Sequence, residues 1–198
     1  MALLLAILFA GALPGGGALF DGPRFDAQPG AWVEYLVRTK GSEPLRVRVS
    51  VLSKEGENAS IEIDTLAKDK PPQSVRMLVH GSPADARNVD KLELYVAGQA
   101  PIEVPLDDLR DDLRPPPKSK ARAVERGRER VQVQAGSFDA VVVDRGGARI
   151  WSSNDVPIFG MVKTRTQAQT AELIAFGRTG AHSLFPDAAH QNGSETTK

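Results

Sequence analysis

Histidine can bind metal ions and can transfer protons near neutral pH, and this chain contains three: His80, His182 and His190. They lack the close helical or hairpin spacing that brings two imidazoles onto one ion, so we expect solvated or capping side chains. No G-x-S-x-G, P-loop or H-E-x-x-H motif is present either. The sequence therefore predicts no catalytic site, no metal site and no cofactor, and we expect that the protein is not an enzyme.

Two charged segments in the middle of the chain are candidates for ion binding. The first contains a tandem Asp-Asp-Leu-Arg sequence, whose aspartates are Asp107, Asp108, Asp111 and Asp112. Their spacing differs from that of an EF-hand loop and Arg110 and Arg114 neutralise them, which predicts a solvated helix face rather than a calcium site. The second, residues 118–130, could contact phosphates or lipid headgroups, but it contains two glutamates and no aromatic residue. We interpret it as an exposed connector or as the start of a strand.

Four large aromatic residues are the candidates for contact with a ligand: Trp32, Tyr35, Trp151 and Phe159. Side chains of this size either line an apolar pocket or anchor a core. The sequence leaves both roles open, and we take these four as the predicted ligand-binding residues.

The composition restricts the possible functions. Twenty-five basic residues balance 25 acidic residues, so the net charge is zero and a nucleic-acid partner is not expected. The chain of 198 residues has no cysteine, which excludes disulfides, thiolate metal sites, a thiol nucleophile and the lipid-modified cysteine of bacterial lipoproteins.

The N-terminus has the pattern of an export signal. Residues 2–13 are apolar and are followed by Pro14 and three glycines. This run is too short to span a bilayer, which takes about 20 residues, but it fits the hydrophobic region of a signal peptide. No basic residue precedes Arg24, which departs from the usual pattern. We predict a signal peptide over residues 1–18, a periplasmic or secreted protein in a bacterial envelope, and no stable transmembrane segment after cleavage.

Apolar and polar residues alternate with a period of two over most of residues 31–176, as in half-buried strands. We count about nine strands. The exceptions are a predicted helical turn over residues 82–87 and a predicted helix over residues 105–114 that ends at three prolines. We therefore predict one β domain over residues 19–177, with a charged helical insertion at 99–130 and a flexible C-terminal tail at 178–198.

The fold predicted from this pattern is mainly β with minor α. An apolar sheet face must be buried, and the helices are too few to cover a flat sheet. We expect a single curved antiparallel sheet, a half-barrel closed by two or three short helices. A β-sandwich and a closed barrel are the alternatives.

The second half of the chain resembles a known group of proteins. The segments are Val133 to Ala140, Ile150-Trp151-Ser152, Val156-Pro157-x-x-Gly160-x-Val162-Lys163 and Glu172-Leu173-Ile174. They resemble exported bacterial half-barrel proteins related to the lipoprotein carriers LolA and LolB and to the lipid-binding LppX. The resemblance covers residues 130–177. It implies an open sheet wrapped on helices and the handling of apolar ligands or lipoproteins, but no set of functional residues carries over.

Two functions follow as hypotheses. The first is an exported, non-catalytic protein that binds an apolar ligand, a lipid or a lipidated partner on the concave face of a half-barrel. The second is a secreted structural or protein-interaction module with a filled core, whose partner is another envelope protein.

Overall fold

The alternating segments form strands in the computed structural model, which describes residues 25–83, 86–106 and 123–186. The strands are β1 Trp32–Thr39, β2 Leu45–Glu55, β3 Asn58–Ala67, β4 Gln73–His80, β5 Val89–Val96, β6 Ile102–Glu103, β7 Val124–Val133, β8 Gly136–Arg145, β9 Ala148–Ser152, β10 Met161–Arg165 and β11 Gln169–Gly177. A three-residue 3-10 helix, Ala86–Asn88, is the only helix among the described residues.

All eleven strands belong to one antiparallel sheet, in the order β6-β5-β4-β3-β2-β1-β11-β10-β9-β8-β7. Strands β1 to β6 form one meander and β7 to β11 form a second. The pairing of β1 with β11 joins the two meanders. The sheet does not close into a barrel, so β6 and β7 are its edges.

The register of the first meander places its apolar residues on one face. Val33 lies opposite Val49, Val49 opposite Ile63, and Ile63 opposite Val75. Each of these side chains is buried. Burying one such side chain fully stabilises the fold by about 1.5–3 kcal/mol relative to leaving it exposed, so this row is a major source of stability.

The second meander curls back on itself. The Ala135 N–H, in the turn between β7 and β8, donates to the Leu173 carbonyl of β11 at 3.3 Å. The rings of Phe138 on β8 and Phe176 on β11 lie 6.0 Å apart. Because β9 and β10 separate β8 from β11 in the sheet, these contacts cross the interior and fill it.

The prediction of a mainly β fold with a single antiparallel sheet is confirmed, and the sandwich and closed-barrel alternatives are wrong. The count of about nine strands was low. The predicted helical turn over residues 82–87 overlaps the 3-10 helix Ala86–Asn88, and residues 84 and 85 lie outside the described residues. The predicted helix over residues 105–114 lies mostly outside the described residues, so closure by two or three helices is not seen in the described part of the chain.

Two predicted boundaries differ from the structure. Residues 124–130, predicted as part of a charged helical insertion, belong to β7 because their backbone pairs with β8 along the whole segment. The predicted flexible tail begins with residues that pack on the sheet, since Phe185 is buried. The predicted signal peptide lies outside the described residues. No helix in the described ranges is both long and apolar enough to cross a bilayer.

Candidate functional site

Two of the four predicted ligand-binding residues are packed in the interior. Tyr35 has no solvent-accessible surface, and its hydroxyl donates to the Met161 carbonyl at 3.0 Å. Burial raises the pKa of this phenol. Phe159 is also fully buried, with its ring stacked on that of Phe25 at 5.7 Å. Both side chains occupy the core.

The two tryptophans make separate polar contacts. The Trp32 indole N–H donates to the Thr179 carbonyl at 3.1 Å, and the Arg48 guanidinium lies 4.3 Å from its ring. The Trp151 indole N–H donates to Glu129 Oε2 at 2.9 Å. Trp32 is on β1 and Trp151 on β9, with β11 and β10 between them in the sheet. Their contacts anchor different neighbours and do not outline one common pocket.

The histidines are likewise apart. His80 Nδ1 lies 2.8 Å from Asp90 Oδ2, and His182 contacts Arg48, whereas His190 lies outside the described residues. The four aspartates of the tandem Asp-Asp-Leu-Arg sequence and residues 118–122 of the basic segment are also outside them. Within residues 25–83, 86–106 and 123–186, no group of three or more potential metal ligands converges.

The most unusual cluster is a pair of buried acids on β3. Glu62 and Asp64 alternate with Ile61 and Ile63 and so point to the face of the sheet opposite the apolar core. Such a face is normally solvated, yet Glu62 is 0% exposed and Asp64 is 1% exposed. Burying carboxylates is costly unless they are paired or hydrogen-bonded, so their partners define the site.

Strand register supplies the first partners. Arg76 on β4 lies directly opposite Glu62, and its Nη2 donates to Glu62 Oε2 at 3.0 Å. Ser74 lies opposite Asp64, and its hydroxyl donates to Asp64 Oδ1 at 2.6 Å. On the other side, Arg48 of β2 is the cross-strand neighbour of Asp64. The acids are thus held between two arginine-bearing strands.

The remaining partners come from residues 181–185, which we call the C-terminal segment. The Leu184 N–H donates to Glu62 Oε1 at 2.6 Å, and the Ser183 hydroxyl donates to Glu62 Oε2 at 2.7 Å. Arg76 Nη2 also donates to the Ser183 hydroxyl at 2.6 Å. Glu62 therefore binds a main-chain amide, a hydroxyl and a guanidinium at once.

Residues on both sides of Ser183 also hold the C-terminal segment on the sheet. The Phe185 ring lies 5.3 Å from the ring of Tyr95, and the Arg76 guanidinium lies 4.1 Å from Phe185. At the other end, the Ala181 N–H donates to the Gly30 carbonyl at 2.8 Å. The C-terminal segment thus covers Glu62.

Burial changes the titration of this site. Desolvation raises the pKa of Asp64 to about 7, and the nearby charge of Glu62 acts in the same direction. The hydrogen bond from Ser74 opposes the shift. Asp64 therefore changes charge near neutral pH. Because Asp64 is 1% exposed, this proton is suited to controlling stability rather than to reacting with a substrate.

The alternation over residues 31–176 predicts a solvated face for the polar residues between the apolar ones, Glu62 and Asp64 among them, so it does not reveal this site. Alternation identifies the two faces of a strand, but it does not show that a segment over one hundred residues away returns to cover one of them. A usable signal was present, since the flanking strands carry Arg48 and Arg76 on the same face. Opposite charges on three adjacent strands favour a paired cluster.

No family model and no curated protein matches this chain. Three solved structures show partial similarity. The first is from Bacteroides fragilis, assigned as an exported protein with a YmcC-like fold; it is 10% identical, covers 79% of this chain and 99% of its own, and gives a TM-score of 0.44. The second, MucB, is 15% identical over 86% of this chain and 59% of its own, with a TM-score of 0.47. The third, the hypothetical protein CT021 of Chlamydia trachomatis, is 14% identical over 80% of this chain and 91% of its own, with a TM-score of 0.43.

Similarity at this level does not establish a family, an activity or a ligand. This chain spans only 59% of MucB, which has also been solved in complex with MucA(peri). The resemblance to LolA, LolB and LppX stays a prediction.

Proposed function

We propose that this protein is a non-catalytic binding protein of the cell envelope whose partner is another polypeptide, and that its apolar interior carries no ligand. The observation that supports this choice is the filled interior. Tyr35, Phe159 and Leu173 are each 0% exposed. The side chains of an open ligand pocket, by contrast, keep accessible surface. The location in the envelope rests on the predicted signal peptide.

The buried ionisable groups support a non-catalytic role. A general acid or base must reach a substrate. Glu62 accepts hydrogen bonds from Arg76 and the C-terminal segment, and the buried Asp64 accepts one from Ser74. These groups are satisfied by the protein itself, which suits a structural role.

The competing function is a carrier of lipid or of a lipidated protein. A dansyl-labelled fatty acid titrated into the full chain distinguishes the two. We expect no saturable fluorescence increase beyond that seen with an unrelated soluble protein. Saturable binding of one probe per chain would overturn the proposal.

A second measurement tests the filled interior directly. Leu173→Ala removes a fully buried side chain, and such changes cost about 2–5 kcal/mol and leave an apolar cavity that can bind benzene. We expect benzene to raise the melting temperature of this variant but not of the wild type. Leu78→Ala is the matched control, because Leu78 is 37% exposed and its removal opens no cavity. A benzene effect on the wild type would show that a cavity already exists.

A further inference from the structure

Among the described residues, no strand pairs with one side of the β7 backbone. Strand β7 is the last strand in the sheet order and pairs only with β8 among the described residues. Residues 124–130 are all exposed, although they extend over most of a ten-residue strand. An exposed edge of this length offers a row of free N–H and C=O groups to another chain.

The edge is partly protected at its start. The register with β8 shifts between Glu125 and Gly127, where Gly127 adopts a φ of 110°. A bulge of this kind twists an edge away from incoming strands. From Arg128 to Val133 the register is regular, which leaves six consecutive residues that a further strand could pair with.

The charged side chains of β7 differ in the polar contacts that they form. Glu129 accepts the hydrogen bond from Trp151, and the preceding Arg126 is paired with Asp144 at 2.8 Å. Arg128 and Arg130 are exposed and point to one side of the strand, because they are two residues apart. Within the described ranges neither forms an ion pair, although Asp139 is the cross-strand neighbour of Arg130. The open edge therefore presents two exposed arginines, one of them opposite Asp139.

We propose that β7 binds an extended acidic segment of a partner protein as an added strand, with carboxylates at alternate positions facing Arg128 and Arg130. Main-chain hydrogen bonds supply the attachment, and the two arginines select for negative charge. This inference rests on the proposed polypeptide-binding function and assigns it a surface and a partner chemistry.

A second copy of the chain fits this edge poorly. When a two-fold axis relates two copies in one continuous sheet, even-numbered residues lie opposite even-numbered residues and odd-numbered residues opposite odd-numbered ones. With the axis at any residue from 126 to 130, that arrangement sets at least one of the arginines at 126, 128 and 130 opposite another arginine. Like charges directly opposite each other destabilise a strand pair. An acidic partner meets no such repulsion.

The test uses the full chain and a synthetic decapeptide of alternating glutamate and threonine, labelled for fluorescence anisotropy. We expect saturable binding that weakens with added salt. A peptide with lysine in place of glutamate is expected not to bind. Equal binding of both peptides, or of neither, would overturn the proposal.

Two N-methylated versions of the acidic peptide distinguish strand addition from simple charge attraction. Each carries methyl groups on alternate backbone nitrogens, which blocks one edge of the extended peptide. A strand added to β7 uses one edge only, so one version should lose binding and the other should retain it. Retention by both would show that no strand pairing occurs.

Protein variants locate the surface. The double variant Arg128→Glu and Arg130→Glu should weaken binding of the acidic peptide about tenfold or more at low salt. The control is Lys54→Glu with Lys68→Glu, which makes the same change in charge at exposed positions elsewhere. Equal weakening by both double variants would contradict the assignment to β7. If the peptide fails to bind while the chain also takes up no fatty acid, only the β7 assignment falls; fatty-acid uptake would overturn the proposed function itself.

Discussion

The protonation of Asp64, one of the two buried acids, makes the stability of the folded protein depend on pH. Its pKa is raised from 3.8 in a model compound to about 7 in the folded protein, mainly by desolvation. The folded protein therefore holds this proton more tightly than the unfolded chain does. The resulting stabilisation is fully present below about pH 4 and is lost as the pH rises through about 7.

We predict that Asp64→Asn removes this dependence. Between about pH 5 and about pH 8, ionisation of Asp64 should lower the free energy of unfolding of the wild type by about 3 kcal/mol, whereas the amide of the variant has no proton to lose. Urea denaturation at the two pH values measures the difference. Asp139→Asn, at an exposed position, should keep the pH dependence of the wild type. An equal effect of Asp64→Asn at both pH values would show that Asp64 is ionised in the folded protein throughout.

At the scale of elements, Glu62 holds the C-terminal segment on the sheet. Its two oxygens accept from the Leu184 amide, the Ser183 hydroxyl and Arg76. We predict that Glu62→Gln loosens this segment, because an amide replaces one acceptor oxygen by a donor. A hydrogen bond to a charged group contributes about 1.5–3 kcal/mol, so hydrogen exchange at Leu184 should accelerate about tenfold or more.

The matched control for this change is Glu103→Gln. Glu103 is exposed, and its ion pair is with Lys91 rather than with residues 181–185. Exchange at Leu184 should stay at the wild-type rate in this variant. Unchanged exchange in Glu62→Gln would mean that other contacts, such as Phe185 on Tyr95, are sufficient to hold the segment.

The elements differ in how far the sequence could predict them. Strands β1 to β4 have one apolar face, so the alternation of Val33, Val49 and Val75 with polar residues located them. The first seven residues of β7 have no buried face, and therefore no alternation marks them as a strand. These residues form a strand because their backbone pairs with that of β8. The buried acids were missed for a different reason, because the segment that covers them is distant in sequence.

At the scale of the whole molecule, the structure combines a filled interior with an open edge. The prediction of one antiparallel sheet followed from local periodicity and is confirmed. Whether that sheet encloses a cavity depends on how the second meander curls. The contacts of Tyr35 with Met161 and of Phe138 with Phe176 fix this curvature. They join residues that are distant in sequence, so no local pattern predicts them. The filled interior favours a partner bound at the surface.

Native mass spectrometry of the full chain, produced by export in bacterial cells and purified without detergent, tests this conclusion most directly. We predict the mass of the polypeptide alone, since the interior beside Tyr35 and Leu173 has no room for an acyl chain. A one-to-one adduct with the mass of a lipid, removed by extraction with organic solvent, would contradict it and establish the protein as a carrier.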